Sequence, residues 1–284
     1  MLALIDSDII VYEIGFVTQQ ETFEYEGTHY ETITAAKKAG IDKDLLSRNV
    51  YPIKWPFVKK MVDDRINGIL KAVGATEHKC YLTGKGNFRN DVATILKYKG
   101  TRHAPKPYHY QNIWDYLIKA WGAVVVTGME ADDAISIAQY QGDGNTVICS
   151  RDKDLRMVRG WHYSWGCGER QPEKPLYKIS ELEGCRNWAT QMLVGDKVDN
   201  ILGVPGYGPV KAGKVLDGCG TKDALMQAVV DVYIAVFGEE LIKYQSWDGR
   251  WMEKGWQGIY FENNALLWML QDEGEIQYEV LSST

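Results

Sequence analysis

Apolar residues in this chain fall into two patterns: short unbroken runs, and longer stretches in which they return every three or four positions. The runs at 2–5, 79–82, 123–126 and 146–149 read as buried β-strands. Between them Phe57, Met61, Val62, Ile66, Ile69 and Leu70 recur at helical spacing. So do Ile113, Tyr116, Leu117 and Trp121, and then Ala134, Ile135 and Ala138. Strands alternating with crossover helices predict an α/β fold, a mostly parallel sheet covered by helices on both faces. Such sheets gather functional groups at the carboxyl ends of their strands. Further on, 180–194 reads as a helix, followed by the glycine-rich stretch G-D-K-V-D-N-I-L-G-V-P-G-Y-G-P-V-K and a helix over about 209–216, together a helix, turn and helix unit. The chain divides on this reading into 1–185, 186–235 and an aromatic-rich extension over 236–284. No flexible linker separates them, so the extension should pack on the rest.

With 284 residues, 45% of them apolar, the chain can bury a substantial core. No run approaches the ~20 apolar residues of a membrane helix, and Asp6 interrupts the first apolar run before it could act as a signal peptide core. The expectation is a soluble protein with no membrane partner, kept in the cytoplasm, of a host cell if the source is viral. The five cysteines are scattered and unpaired in pattern, which fits neither a disulfide framework nor a zinc ribbon.

A net charge of −6 argues at first sight against a nucleic-acid partner. That objection depends on where the acids are. Asp6 and Asp8 close the first strand as I-D-S-D, and in extended chain residues two apart point to one side. Asp152 and Asp154 repeat the arrangement after the fourth strand. After the third, M-E-A-D-D presents Glu130, Asp132 and Asp133 at a helix start, and Asp196 and Asp199 lie three apart on what should be one helical turn. Taken singly, each pair is more often a surface feature or a helix cap. Three acidic groups at the ends of three successive strands are harder to read that way. If all nine carboxylates hold cations, the remainder carries −6 + 9, about +3. Crowded carboxylates repel unless neutralised, and hard oxygen donors select Mg²⁺ or Mn²⁺. Two such ions suit phosphodiester hydrolysis.

Between the second and third strands, Lys85, Arg89, Lys97, Lys99, Arg102 and Lys106 are interleaved with Phe88 and Tyr98. Cations beside aromatics suit a phosphate backbone with stacked bases, although a solvated basic loop has the same composition. Gly203, Gly206 and Gly208 permit a tight turn whose amides can approach a phosphate ahead of Lys211, or an ordinary turn between packed helices. Trp247, Trp251 and Trp256, with Tyr260 and Phe261, could stack on single strands, but core packing is the commoner use of such residues.

In the order I-D-S-D, N-F-R, Y-K-G-T-R, E-A-D-D, S-R-D-K-D and G-D-K-V-D-N-I-L-G-V-P-G-Y-G, the chain resembles the 5′-nuclease family over about residues 1–215. It is most similar to the branch of phage 5′-to-3′ exonucleases and flap endonucleases. The resemblance implies a PIN-like nuclease domain with a basic arch over about 84–110 and a helix-three-turn-helix DNA-binding unit. It implies a monomer cutting DNA at 5′ ends, flaps or RNA primers in phage-type replication or recombination. By the same resemblance Asp8, Glu130, Asp132 and Asp152 are ligands of a first divalent cation, and Asp154, Asp196 and Asp199 of a second. Asp6 and Asp133 bind directly or support those that do. Arg89, Lys99 and Arg102 would orient the scissile phosphate and Tyr98 would stack on a base. Lys85, Phe88 and Lys106 would line the DNA path, and Gly203 to Lys211 would grip duplex DNA, with a site for K⁺. One departure stands out: where the family has an aspartate ahead of the basic region, this chain has Thr83 and Gly84. Two other readings stay open, a DNA-structure-binding module without chemistry and a PIN-type ribonuclease.

Overall fold

The computed structural model describes residues 1–102 and 104–275, so the last nine residues of the 236–284 extension lie outside the described residues. The chain opens with β1 (Leu2–Asp6) and α1 (Ser7–Val17). A small antiparallel sheet follows, made of β2 (Gln19–Tyr25), β3 (Thr28–Tyr30) and β4 (Ser47–Pro52), with α2 (Ile33–Lys38) between the last two. Next come α3 (Trp55–Val73), β5 (Glu77–Thr83), the one-turn α4 (Arg89–Val92), α5 (Tyr110–Trp121), β6 (Val124–Val126) and α6 (Ala131–Gln141). β7 (Thr146–Cys149), β8 (Gly160–Ser164) and β9 (Lys174–Ile179) complete the central sheet. Beyond it lie α7 (Glu181–Val194), the two-residue strands β10 (Gly195–Asp196) and β11 (Ile201–Leu202), α8 (Pro209–Leu216) and α9 (Lys222–Phe237). A hairpin of β12 (Ile242–Gln245) and β13 (Trp251–Lys254) leads to α10 (Trp256–Leu267).

The central sheet runs β6-β5-β1-β7-β8-β9, parallel throughout except for β9. All four expected strands and all three expected helices between them are present, with ends shifted by a few residues. β1 lies at the middle, where an apolar run ending in Asp6 is covered from both sides. On one face α1, α3 and α5 bury Ile10, Val58, Val62, Ile66, Ile69, Ile113 and Leu117. On the other, α6 buries Ala131 and Ile135 over Leu4 and Ile148. The buried positions of α3 advance by three or four residues, and the helix stops at Gly74, whose φ of +62° suits a left-handed cap.

A third cluster joins α7, α8, α9 and α10 to Phe88 and Tyr98 of the basic segment. Among the described residues α10 packs against α7 and α9 in this cluster, and the position 185/186 lies inside α7. The β2–β3 hairpin is an addition to the sequence reading. Its two-residue loop, Glu26 and Gly27, has φ of +47° and +78°, the paired positive values that suit the twist of a tight hairpin. Among the described residues no helix is long and apolar enough to cross a membrane.

Candidate metal centre

The carboxyl ends of β1, β5, β6 and β7 open on one cavity of about 1120 Å³. Asp6, Asp8, Glu130, Asp132, Asp152, Asp154, Asp196 and Asp199 all line it. Eight of the nine expected acids are thus brought together, though not by the local geometry expected. β1 ends at Asp6, and Asp8 stands in the first turn of α1, not in extended chain. Asp6 caps that helix, accepting from Ile9 N at 3.4 Å, and Asp8 accepts from Thr83 N at 3.0 Å. Asp152 accepts from Asp154 N at 2.8 Å as the chain turns into a short 3₁₀ segment. Asp196 and Asp199 sit on the turn between β10 and β11, not on a helix, with Asp196 accepting from Val198 N at 2.7 Å and Asp199 N at 3.2 Å.

The eight acids divide by their partners. Lys153 Nζ lies 2.8 Å from Asp154 and 2.5 Å from Asp196. Lys99 pairs with Glu130 and lies 3.7 Å from Asp199, which also holds Arg102. Burial alone would raise Glu130 and Asp196, but these cations hold both below the usual carboxylate range. Asp6, Asp8, Asp132 and Asp152 show no ion pair among the described residues. Burial first, and repulsion from neighbouring carboxylates after it, push all four upward, Asp6 to about 7 despite the hydrogen bond from Ser150; the repelling neighbours are Asp8 and Asp152 at Asp6, Glu130 at Asp8, Asp6, Asp152 and Glu130 at Asp132, and Asp154 and Asp199 at Asp152. Such a quartet of hard oxygens, costly to ionise together, has the chemistry of a divalent-cation site. As the side chains stand, no three of them among the described residues converge tightly enough to hold an ion at one point. Half of the acids are turned onto lysine and arginine instead.

Several expected roles are corrected. Asp133 is fully buried in a forked ion pair with Arg89, itself 1% exposed, so the guanidinium is not free to meet a phosphate and the carboxylate not free to meet a metal directly, which leaves the supporting role expected of Asp133 untouched. Phe88 is a core residue. Tyr98 is buried, with its hydroxyl donating toward Glu130 at 3.0 Å and Asp199 at 3.1 Å, so it cannot offer a face to a base. The basic segment is loop and one short helix pinned to the body, with Lys99 N donating to Asp199 O at 2.9 Å. Lys106 lines the cavity with its ammonium 3.8 Å from the Tyr110 ring, while Lys85 is exposed away from it. Gly203 is required by packing: a Cβ there would meet Val194 C at 2.2 Å. Only Gly206 of the three glycines has positive φ, and Gly208 caps α8, beside which Lys211 lies over Tyr207.

Gly84 has no room for a side chain, and the neighbouring Thr83 is engaged. A Cβ on Gly84 would lie 2.6 Å from Val126 O, and Thr83 uses its hydroxyl to accept from Ala131 N. Sequence reasoning missed Ser150, Lys153 and Gln191, which position Asp6, Asp154 and Asp196. The first two lie inside S-R-D-K-D and could have been read from it. It also missed the opposite cavity wall, where Tyr12, Phe16 and Tyr110 stand on α1 and α5.

No family profile matches the chain. It is 28% identical over 111 residues to DNA polymerase I of Rhizobium leguminosarum, covering 37% of this chain and 11% of that one. It is 26% identical over 219 residues to DNA polymerase I of Geobacillus stearothermophilus, covering 72% of this chain and 24% of that one. The chain thus matches no more than about a quarter of the length of these relatives. Among solved structures it is similar to the T5 D15 protein co-crystallised with metal ions, at 17% identity and a TM-score of 0.49 over 83% of this chain and 88% of the other. It is also similar to T5 5′-exonuclease with zinc bound, at 14% identity and a TM-score of 0.48 over 99% and 97%. In the order of its motifs the chain resembles the 5′-nuclease family.

Proposed function

We propose that this protein is a metal-dependent nuclease that hydrolyses DNA phosphodiesters at 5′ ends and flaps. The observation that carries the reading is the buried quartet Asp6, Asp8, Asp132 and Asp152, assembled from the ends of three strands without an ion pair among the described residues and lying beside Lys99 and Arg102. Asp6, Asp8, Asp132 and Asp152 would hold one Mg²⁺ or Mn²⁺, and Glu130, Asp154, Asp196 and Asp199 a second. Bound there, divalent cations supply Lewis acidity, making a nucleophile of water near neutral pH and offsetting charge on the leaving oxygen.

The chain's own groups do the rest. Lys99 and Arg102, now on Glu130 and Asp199, are the cations at hand for a phosphate entering the cavity. Lys153 holds Asp154 and Asp196 together ahead of metal. Lys106 with Tyr110, and Tyr12 with Phe16, wall the opposite side with faces suited to sugar and base. The exposed Lys211 and Lys214 of α8 line one shallow pocket with Gly208 and suit a duplex backbone, with K⁺ as a further occupant of the turn ahead of the helix. RNA primers as substrate, a phage setting and action as a monomer come from the resemblance alone and are part of the same proposal.

Cleavage of a 5′-labelled flap duplex and a blunt duplex, with Mg²⁺, Mn²⁺ or EDTA, tests the reading. Wild type is expected to release short 5′ products only with metal, while Asp154→Asn binds DNA as wild type and loses most of the rate. The site at Gly84 favours one second reading, a DNA-binding module without chemistry. Unimpaired binding with no cleavage under any metal would establish it.

A further inference from the structure

Arg89 and Asp133 form a buried ion pair at the edge of the cavity, with the charged groups of both turned onto protein partners. Arg89 Nη1 donates to Asp133 Oδ2 at 2.5 Å and Nη2 to Oδ1 at 2.8 Å. The remaining donors reach the C-terminal segment, Nε to Leu266 O at 3.0 Å and Nη2 to Trp268 O at 2.7 Å. Asp133 is equally committed. Its Oδ2 accepts from Glu130 N at 3.2 Å, which closes the cap of α6, and its Oδ1 accepts from Leu270 N at 3.4 Å. The pair therefore ties three segments to one point: the start of α4, the acid-bearing start of α6 and the exit of α10.

Burying both charges is costly, and a well-packed apolar pair would serve stability as well. What a guanidinium fork adds is direction, since its planar donors fix a carboxylate in one orientation. That orientation passes directly to Glu130 through its backbone amide, and Asp132 lies between the two. The exit of α10 is part of the cavity as well, because Leu266, Leu267 and Met269 line it.

We infer that Arg89 is a positioning residue through which the C-terminal segment 266–270 holds the Glu130–Asp133 corner of the site in register. Glu130 and Asp132 are then set by a contact made more than 130 residues further along the chain. The inference rests on the nuclease reading for its catalytic consequence but not for its structural one.

The test compares Arg89→Lys with Val73→Ala in the full chain. Lysine keeps the charge and loses the fork, and Val73 is a core residue at the far end of α3, next to the amino edge of the sheet. Two quantities are read at matched loss of melting temperature: amide hydrogen exchange over 129–134, and Mn²⁺ half-saturation by calorimetry. Arg89→Lys is expected to speed exchange there at least tenfold and to weaken Mn²⁺ about tenfold, with Val73→Ala within twofold of wild type in both. Equal exchange over 129–134 in the two variants would overturn the inference. A wild type that cleaves no DNA, with the exchange difference intact, would instead overturn the nuclease reading and leave the latch standing.

Discussion

Ser150 Oγ donates to Asp6 Oδ2 at 2.7 Å and accepts from Asp152 N at 2.9 Å, so one hydroxyl joins the carboxyl ends of β1 and β7 across the centre of the acidic cluster. Its donation favours the ionised form of Asp6, against burial and the nearby charges of Asp8 and Asp152. Removing it in Ser150→Ala should raise Asp6 above its value of about 7. A metal must then displace a more tightly held proton. The acid limb of the pH–rate profile, taken at subsaturating Mn²⁺, is expected to move to higher pH, with rates converging at saturating metal. An unmoved limb would show that Asp6 does not govern metal entry.

Gly84, at the carboxyl end of β5, leaves no room for a side chain. Its amide donates to Val126 O at 2.7 Å, and a Cβ would come within 2.6 Å of that same oxygen. Gly84→Asp, which would add a carboxylate at this strand end, should therefore weaken the protein without strengthening the site. We expect a loss of about 1–3 kcal/mol from forced backbone movement and no gain in Mn²⁺ affinity by calorimetry. Tighter metal binding in the variant would mean that β6 can yield.

Much of this architecture was legible because period and chemistry agreed. The run ending in Asp6 and the run before Ser150 are strands for the same reason that their acids share a cavity: parallel strands deliver their ends to one edge. What could not be read was the assignment of charges to partners. In the sequence Arg89 and Lys99 are both basic residues beside an aromatic, yet Arg89 is buried at the edge of the cavity and Lys99 is part-exposed within it. The difference is made by Asp133 and by the carbonyls of Leu266 and Trp268, which are distant in the chain and near in space. Asp133 likewise differs from the other acids only through residues distant in the chain, Arg89 and the Leu270 amide. The β2–β3 hairpin was missed for a simpler reason, since its strands are polar and half-exposed and carry little apolar periodicity, although E-G between T-F-E-Y and T-H-Y was a usable turn signal.

His162 gives the fold a pH dependence remote from the cluster. It is buried, its Nε2 lies 2.7 Å from Val158 O, and burial lowers its pKa from 6.5 to about 4. The unfolded chain therefore takes up a proton that the folded chain refuses. Stability from this residue is intact above about pH 6.5 and falls as the pH drops toward 4, by roughly 2 kcal/mol between pH 7 and pH 5. Urea unfolding at both values should show that loss in wild type and a correspondingly smaller one in His162→Gln. Equal losses would assign the acid sensitivity to the carboxylates alone.

Glu262 on α10 is 1% exposed and gathers four donors. Thr94 N reaches it at 2.8 Å, Thr94 Oγ1 at 2.5 Å, Ile95 N at 2.9 Å and Lys254 Nζ at 2.5 Å. It thereby fixes the basic segment just ahead of Lys97 to Lys99, where Trp247 also binds Ala93 O at 2.8 Å. Glu262→Ala strands the buried Lys254 ammonium and two backbone amides, which should cost about 3–5 kcal/mol. Glu262→Gln keeps the volume and an acceptor oxygen while losing the charge, so its loss should be smaller. If the four bonds serve only stability, DNA affinity in EDTA should be the same in wild type and Glu262→Gln at temperatures where both are folded. If they also set the path of the basic segment, affinity should fall and the salt dependence of binding should flatten, because fewer cations would then meet the phosphates. The second outcome is expected, since Lys97 to Lys99 follow Ile95 by only a few residues and have no helix of their own to hold them.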